Sequence, residues 1–66
     1  MSRLKEMREN RGLSQSQLAK ASGISVQRLQ HYEQGYRDIN KCELRVAVKI
    51  ADALKCNVKD IMNKEG

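Results

Sequence analysis

Three glycines divide this 66-residue sequence into segments that each have the length of a short helix. Gly12, Gly23 and Gly35 stand where a helix can end on a left-handed residue, a conformation that glycine adopts without steric cost. Ser14 and Gln17, which follow the first glycine, have the spacing of a helix-capping box. Because the chain contains no proline, the pattern predicts a series of short helices rather than a sheet.

Five helices follow from these signals. Asn40 with Glu43 has the spacing of a second capping box, and Ser25 and Asn57 are further N-cap candidates. The only aromatic residues are two tyrosines, so the core must be aliphatic. We predict helices near residues 2–11, 14–22, 25–34, 41–55 and 58–63, in one domain that spans residues 1–66.

The fourth predicted helix has the clearest amphipathic periodicity. Its apolar residues recur at helical spacing and its charged residues fall on the opposite side, as in a helix with one solvated face. The fifth is short and can persist only by packing on its neighbours; it is also a candidate contact surface for a second subunit. The apolar stripe of the fourth comprises Leu44, Ala47, Ile50, Ala51 and Leu54.

Segment 15–34 has the pattern of two short helices joined by a tight turn. Ala19, Gly23 and Leu29 follow Gln15 at intervals of 4, 8 and 14 residues. Ala19 is small enough for the second helix to cross close to it, and Gly23 allows a positive φ in the turn. Two short helices with such a glycine-containing turn form a helix-turn-helix unit.

The second helix of this unit has a polar face suited to base contacts. At about 100° per residue, Gln27, His31 and Gln34 project away from the core, with Arg28 and Gln30 on the flanks. Glutamine pairs with adenine and arginine with guanine in the major groove. A generic solvated helix would more often carry Glu and Lys, so we interpret this face as a base-contacting surface.

Charge is distributed in agreement with this interpretation. Residues 10–32 contain no Asp or Glu, although the chain has eight acidic residues and a formal net charge of +5. The charged residues of that stretch are Arg11, Lys20 and Arg28. A surface that lies against phosphates excludes carboxylates, because each would be repelled by the DNA backbone.

Two charged residues fall on inward sides of their helices. Glu33, the first acid after the acid-free stretch, lies on the same side as Tyr32, and Arg8 lies in the apolar stripe that contains Leu4 and Met7. Either charge would be costly to bury alone. We therefore predict a structural salt bridge between Arg8 and Glu33.

Phosphate contacts are expected around the rim of this second helix. The backbone amides at the helix start near Ser14 and Gln15 form an anion site, aided by the helix dipole. In loop 36–41, Arg37 is the strongest candidate, whereas Tyr36 could equally cover the edge of the core. The predicted phosphate-contacting residues are Gln15, Ser25, Gln34, Tyr36, Arg37 and Lys41.

The two cysteines are interpreted as small apolar side chains of a protein in a reducing compartment. Cys42 and Cys56 are too few and too far apart in the sequence to form a metal site, and the only histidine is distant from both. We therefore predict neither a metal nor a cofactor. A redox or metal sensor that uses both thiols is an alternative.

Other function classes are disfavoured. An enzyme is not expected, because His31 is the only histidine, no carboxylate shares its helix except the inward Glu33, and no phosphate-cradling glycine-rich loop is present. RNA readers usually stack bases on exposed aromatics, whereas Tyr32 points inward. No apolar run approaches the roughly 20 residues that cross a bilayer, and no signal peptide is present, so we expect a cytoplasmic protein.

The sequence from Leu4 to Met62 resembles the phage Cro and lambda-repressor-like helix-turn-helix family, also called the Xre family. The matching stretches are LKEMRENRGLSQSQLAKASGIS, LQHYEQG and VAVKIADAL. The resemblance implies a compact all-α domain of five helices whose third helix enters the major groove, commonly as a dimer on a palindromic operator. It also implies the Arg8–Glu33 pair and phosphate contacts from Gln15 and the loop around Arg37. The base contacts that it implies are Val26, Gln27 and His31, with Arg28 at the edge.

We therefore expect a sequence-specific transcriptional regulator, and a repressor in particular, because a bare domain can block polymerase without any extra surface. A homodimer is expected, with an affinity that is weak or depends on DNA, since the sequence ends soon after the fifth helix. Domains that resemble this one also occur as antitoxins, which hold a toxin protein as well as an operator. An exposed apolar patch on the fifth helix would favour that alternative.

Overall fold

The computed structural model describes residues 2–63, and within them the chain forms four α-helices, two 3-10 turns and no strand. The all-helical class is confirmed, whereas the expected number of five α-helices is wrong. None of the helices in this part of the chain is long and apolar enough to span a membrane. The helices are α1 (Arg3–Asn10), α2 (Gln15–Ser22), α3 (Val26–Gln34) and α4 (Leu44–Leu54), and the 3-10 turns are Ile39–Lys41 and Val58–Asp60.

The ends of the first three helices follow local sequence signals. The side chains of Ser2, Ser14 and Ser25 each accept a hydrogen bond from the backbone N–H three residues further on, and the capping box predicted at Ser14 is complete. α2 ends at Gly23 with φ 76° and α3 at Gly35 with φ 87°. These caps satisfy backbone groups that a helix end would otherwise leave without partners.

The capping box predicted for Asn40 and Glu43 is wrong. α4 begins at Leu44, after Glu43, whose side chain makes no capping hydrogen bond. The Asn40 side chain instead pairs with the backbone of Asn63: its Oδ1 accepts from Asn63 N at 2.8 Å, and its Nδ2 donates to Asn63 O at 2.9 Å. Asn40 lies in a separate 3-10 turn that is capped by Asp38, whose Oδ1 accepts from Asn40 N at 2.9 Å, so α4 starts later than the predicted residue 41.

The helix predicted over residues 58–63 is also wrong. Only the 3-10 turn Val58–Asp60 forms, with bonds from Asp60 N to Asn57 O at 2.9 Å and from Ile61 N to Val58 O at 3.1 Å. A segment of this length cannot offset the cost of nucleating an α-helix. Ile61 is fully buried, so this segment serves the core rather than presenting its apolar side outward.

The core is aliphatic, as predicted, with Tyr32 as its one aromatic member in the described part of the chain. α4 packs on α2 and on the second 3-10 turn, and α1 packs on α3. The predicted stripe of α4 holds except at Leu44, the first residue of the helix, which is 72% exposed. The buried apolar residues are Leu4, Leu18, Ile24, Leu29, Tyr32, Ile39, Val46, Ala47, Ile50, Ala51, Leu54 and Ile61.

Candidate nucleic-acid interface

A buried ion pair sets the rotation of α3. Arg8 Nε donates to Glu33 Oε2 at 2.8 Å and Arg8 Nη2 donates to Glu33 Oε1 at 3.0 Å, while Arg8 Nη1 donates to the carbonyl of Leu13 at 2.8 Å. The Glu33 side chain is only 2% exposed. Its hydrogen bonds raise the pKa of Arg8 above the usual value. The sequence predicts this pair, and it turns the only acid of α3 inward, where its charge is neutralised.

The side chain of Gln15 extends the same network to the start of α2. Its Nε2 donates to Glu33 Oε1 at 3.1 Å, and its Oε1 accepts from Gln30 Nε2 at 3.2 Å. The sequence suggested Gln15 only as a phosphate contact and Gln30 only as a flanking residue. The bond between them was missed because no local signal reveals which side chains face each other across two crossing helices.

Five of the predicted site residues line one polar cleft on the exposed side of α3. The hydroxyl of Ser25 caps the helix by accepting from Arg28 N at 3.2 Å. The backbone N–H of Arg37 donates to the carbonyl of His31 at 3.1 Å, which folds the following loop back against α3. This bond places a loop cation beside the side chains of the helix. The lining residues are Ser25, Gln27, Arg28, His31 and Arg37.

In the described part of the chain, the cations of the loop beside this cleft make no ion pair, although Asp38 and Glu43 line the adjoining cleft with them. Arg37 and Lys41 are exposed, and across residues 2–63 neither makes an ion pair, since the pair formed is Arg8–Glu33. The first turns of α2 and α3 contain no acid, although the helix dipole favours negative charge there. Positive helix ends and unpaired cations therefore border the same surface, which suits it to a polyanion.

The remaining predicted contacts are not part of the cleft lining. Val26 is half-buried at the first position of α3, and Gln34 is exposed at the last. Tyr36 does not cover the core edge: it is 77% exposed. Its ring meets the ring of His31 edge to face, with centroids 5.8 Å apart and an interplanar angle of 87°.

Cys42 and Cys56 are half-buried side chains packed against the core, and neither lines this cleft. Cys42 lines the adjoining cleft, which it shares with Arg28 and Arg37. Burial raises the pKa of each thiol above its usual value. Within the described residues, no group of three or more His, Cys, Asp or Glu side chains is arranged to hold a metal ion.

Two short helices crossing at a glycine turn, with a polar and acid-free outer face on the second, define a helix-turn-helix DNA-binding domain. A sequence profile of the family described as helix-turn-helix matches residues 4–61. The chain belongs to the phage Cro and repressor-like helix-turn-helix family, of the Xre type. It is accordingly a DNA-binding transcription regulator, from a family that is generally non-enzymatic. No individual curated protein matches the chain.

Proposed function

We propose that this chain is a sequence-specific repressor that inserts α3 into the major groove of double-stranded DNA. One observation carries the proposal: Gln27, Arg28 and His31 share one cleft while the only carboxylate of α3, Glu33, is turned inward against Arg8. The outer side of α3 thus offers hydrogen-bonding groups to base edges and presents no negative charge to phosphates. The major groove, about 12 Å wide, admits a helix in this way.

The base-contacting residues in this proposal are Val26, Gln27, Arg28 and His31. The amide of Gln27 matches adenine, the guanidinium of Arg28 matches guanine, and the apolar side chain of Val26 suits a thymine methyl group. Each of these residues lies in the first two turns of α3. That placement agrees with helix-turn-helix docking, in which the N-terminal part of the recognition helix contacts the bases.

The phosphate contacts are proposed to surround α3 on both sides. Arg37, Lys41 and Tyr36 approach from the loop, all exposed, with Ser25 and Gln34 at the two ends of the helix. At the start of α2, backbone amides supply a further anion site. The Gln15 side chain donates one Nε2–H to Glu33, and its second Nε2–H is proposed to donate to a phosphate at this site. These contacts position the helix and carry no base preference.

A homodimer on a palindromic operator completes the proposal, with an affinity between subunits that depends on DNA. Two copies would place their recognition helices in successive major grooves, about 34 Å or one helical turn apart. Sedimentation of the protein with and without operator DNA measures this directly. A dimer that forms only on the operator is the expected result, and one protein per operator would contradict it.

Selection from a randomised duplex pool tests the proposed function. We expect a short palindromic motif, with half-sites one helical turn apart. Gln27→Ala should change the base selected at one position of each half-site, whereas Arg37→Ala should weaken binding to all sites alike. Lys59→Ala, on the second 3-10 turn, is the matched control and should alter neither. Salt-sensitive binding without any motif would contradict a sequence-specific repressor.

An antitoxin-type role, in which the domain also holds a partner protein, is the second candidate. It is favoured by two exposed apolar residues one turn apart on α4, Leu44 and Val48, rather than by the fifth segment. Leu44→Lys with Val48→Lys should abolish a stoichiometric complex with such a partner while operator affinity stays unchanged. Purification of the protein from its native host without any bound partner would contradict this role.

A further inference from the structure

The guanidinium of Arg28 occupies a distinctive place on the candidate interface. Arg28 is the third residue of α3 and lines the cleft that contains Gln27 and His31. It also lines the neighbouring cleft between α3 and the loop that leads to α4, together with Asp38, Lys41 and Glu43. The side chain therefore stands between the proposed base-contacting surface and the proposed phosphate-contacting loop.

One hydrogen bond joins this side chain to a residue of the core. Arg28 Nε donates to the hydroxyl oxygen of Tyr32 at 3.3 Å, one helical turn further along α3. Tyr32 is only 3% exposed, and its ring is part of the core. Because the ring is fixed by packing on α3 and its neighbours, its hydroxyl is a fixed acceptor at the edge of the interface.

The bond leaves one edge of the guanidinium available. Within residues 2–63, neither Nη1 nor Nη2 of Arg28 makes a hydrogen bond or an ion pair. These two nitrogens form the fork that can donate in parallel to O6 and N7 of a guanine. With Nε held by Tyr32, fewer orientations of that fork remain to be lost on binding, so less entropy opposes the contact.

We infer that Tyr32 is a positioning residue that sets base preference through Arg28: its buried hydroxyl orients the guanidinium so that the Nη1/Nη2 edge selects a guanine. The inference rests on the proposed function, since it requires α3 to lie in the major groove. It assigns a specificity role to a core residue that touches no base. The tyrosine ring serves the core, and the hydroxyl serves recognition.

Tyr32→Phe tests this inference, because it keeps the buried ring and removes only the hydroxyl. The base pair in question is first located as the one whose guanine preference disappears in Arg28→Ala. A bidentate arginine–guanine pair discriminates by roughly tenfold to hundredfold, and Tyr32→Phe should reduce that discrimination about threefold to tenfold. Preferences at all other positions should be unchanged. In the Arg28→Ala background, Tyr32→Phe should have no further effect on base preference.

Tyr36→Phe is the matched control, since it removes a hydroxyl from the same interface at a residue that makes no hydrogen bond to Arg28 in the described residues. Any change in DNA affinity that Tyr36→Phe causes should be the same whichever base pair is present at the tested position. A second measurement needs no variant: the Arg28 Nε–H should exchange with water more slowly in NMR than that of Arg45, which is exposed and makes no hydrogen bond in the described residues.

The outcomes distinguish a failure of the proposed function from a failure of the positioning role of Tyr32. If the wild-type protein selects no motif, the proposed function and this inference both fail. If a motif with the Arg28-dependent guanine appears but Tyr32→Phe discriminates as well as wild type, only the positioning role of Tyr32 is overturned. Equally fast exchange at Arg28 and Arg45 would overturn it as well, even if Tyr32→Phe did not fold.

Discussion

At the scale of single residues, the pair between Arg8 and Glu33 links folding to the proposed function. It fixes α1 to α3 through two short hydrogen bonds, and it keeps a carboxylate off the surface that faces DNA. Gln15 shares an oxygen of the same carboxylate. Loss of Glu33 would therefore leave both an unpaired guanidinium and an amide without its acceptor.

Breaking this pair from one side should be strongly destabilising. We expect Arg8→Met or Glu33→Leu each to lower the free energy of unfolding by roughly 3–5 kcal/mol, because one charge stays buried alone. The total free energy of unfolding of a domain of this size is roughly 3–10 kcal/mol, so both single variants should be close to unfolding. Urea denaturation at low temperature measures these losses.

The double variant decides whether the pairing is the cause. The free energy of unfolding should fall much less in Arg8→Met with Glu33→Leu than the sum of the two single-variant losses, since no buried charge remains unpaired. Asp52→Asn, at an exposed position of α4, is the surface control and should change stability by less than about 0.5 kcal/mol. Strict additivity of the two single losses would rule out the pairing as their cause.

The thiols of Cys42 and Cys56 should behave as packed side chains. Burial raises the pKa of each thiol, so the folded state favours the neutral form. The resulting stabilisation is present below the usual thiol pKa and is lost as the pH rises above it. Because the thiolate is the reactive species, alkylation by iodoacetamide at pH 8 should be slower in the native protein than in urea.

The double variant of the cysteines tests whether the thiols act as a sensor. Cys42→Ser with Cys56→Ser should bind operator DNA with the affinity of the wild-type protein, because neither thiol is among the proposed base or phosphate contacts and serine keeps the size of each side chain. A native alkylation rate equal to that in urea, or an operator affinity that responds to oxidation only in the wild-type protein, would favour the sensor alternative.

At the scale of elements, α2 and α4 both end on a residue with positive φ, but only α2 has a glycine at that position. α2 ends at Gly23, whereas α4 ends at Lys55, a non-glycine residue with φ 55°. The left-handed conformation is disfavoured by about 1–2 kcal/mol for residues with a Cβ. The end of α4 is therefore strained where the end of α2 is not.

Exchanging the residue types at these two ends should have opposite effects. Lys55→Gly should raise the free energy of unfolding by about 0.5–1 kcal/mol, the strain relief being partly offset by backbone entropy. Gly23→Ala should lower it by about 1–2 kcal/mol, although a Cβ at Gly23 would meet no atom within 4 Å. Thermal unfolding monitored by circular dichroism measures both changes.

Lys55→Ala is the control for the loss of the lysine charge. It keeps a Cβ and thus the strain, so it should not reproduce the stabilisation of Lys55→Gly. If both substitutions stabilised the protein equally, the charge rather than the backbone conformation would be the cause.

At the scale of the whole molecule, the distribution of charge should govern how DNA binding responds to salt. The logarithm of affinity should fall linearly with the logarithm of salt concentration, with a slope of about −0.9 for each phosphate neutralised. Arg37→Ala should therefore reduce the slope by about 0.9 per subunit, on operator and random DNA alike. Binding measured by fluorescence anisotropy over a series of salt concentrations gives the slope.

The matched control for this prediction is again Lys59→Ala. Lys59 lies on the second 3-10 turn, which packs on α1 and α4 rather than on the helix-turn-helix unit. Its removal lowers the net charge by the same amount as Arg37→Ala. Equal changes of slope in the two variants would show that net charge, and not a phosphate contact at Arg37, controls the binding.

The sequence by itself determined the features that depend on neighbours a few positions away. Serine caps and glycine ends set the limits of α2 and α3, because a capping bond spans three residues and left-handed conformations favour glycine. Helical periodicity likewise placed Arg8 and Glu33 on inward sides and Gln27 and His31 outward. These are effects of local geometry, and they sufficed to predict the helix-turn-helix unit.

Only the tertiary structure decided the features that depend on distant groups. Asn40 bonds to a backbone 23 residues away, which removes it as the cap of α4, and Gln15 joins side chains 15 and 18 residues away. Leu44 fits the apolar stripe by spacing, yet it is exposed at the first position of α4, whereas Val46, two residues further on, is buried in the core. The way the helices cross decides which of these side chains become hydrogen-bond partners. Periodicity along the sequence does not reveal this, because the partners are far apart in the chain and close only in space.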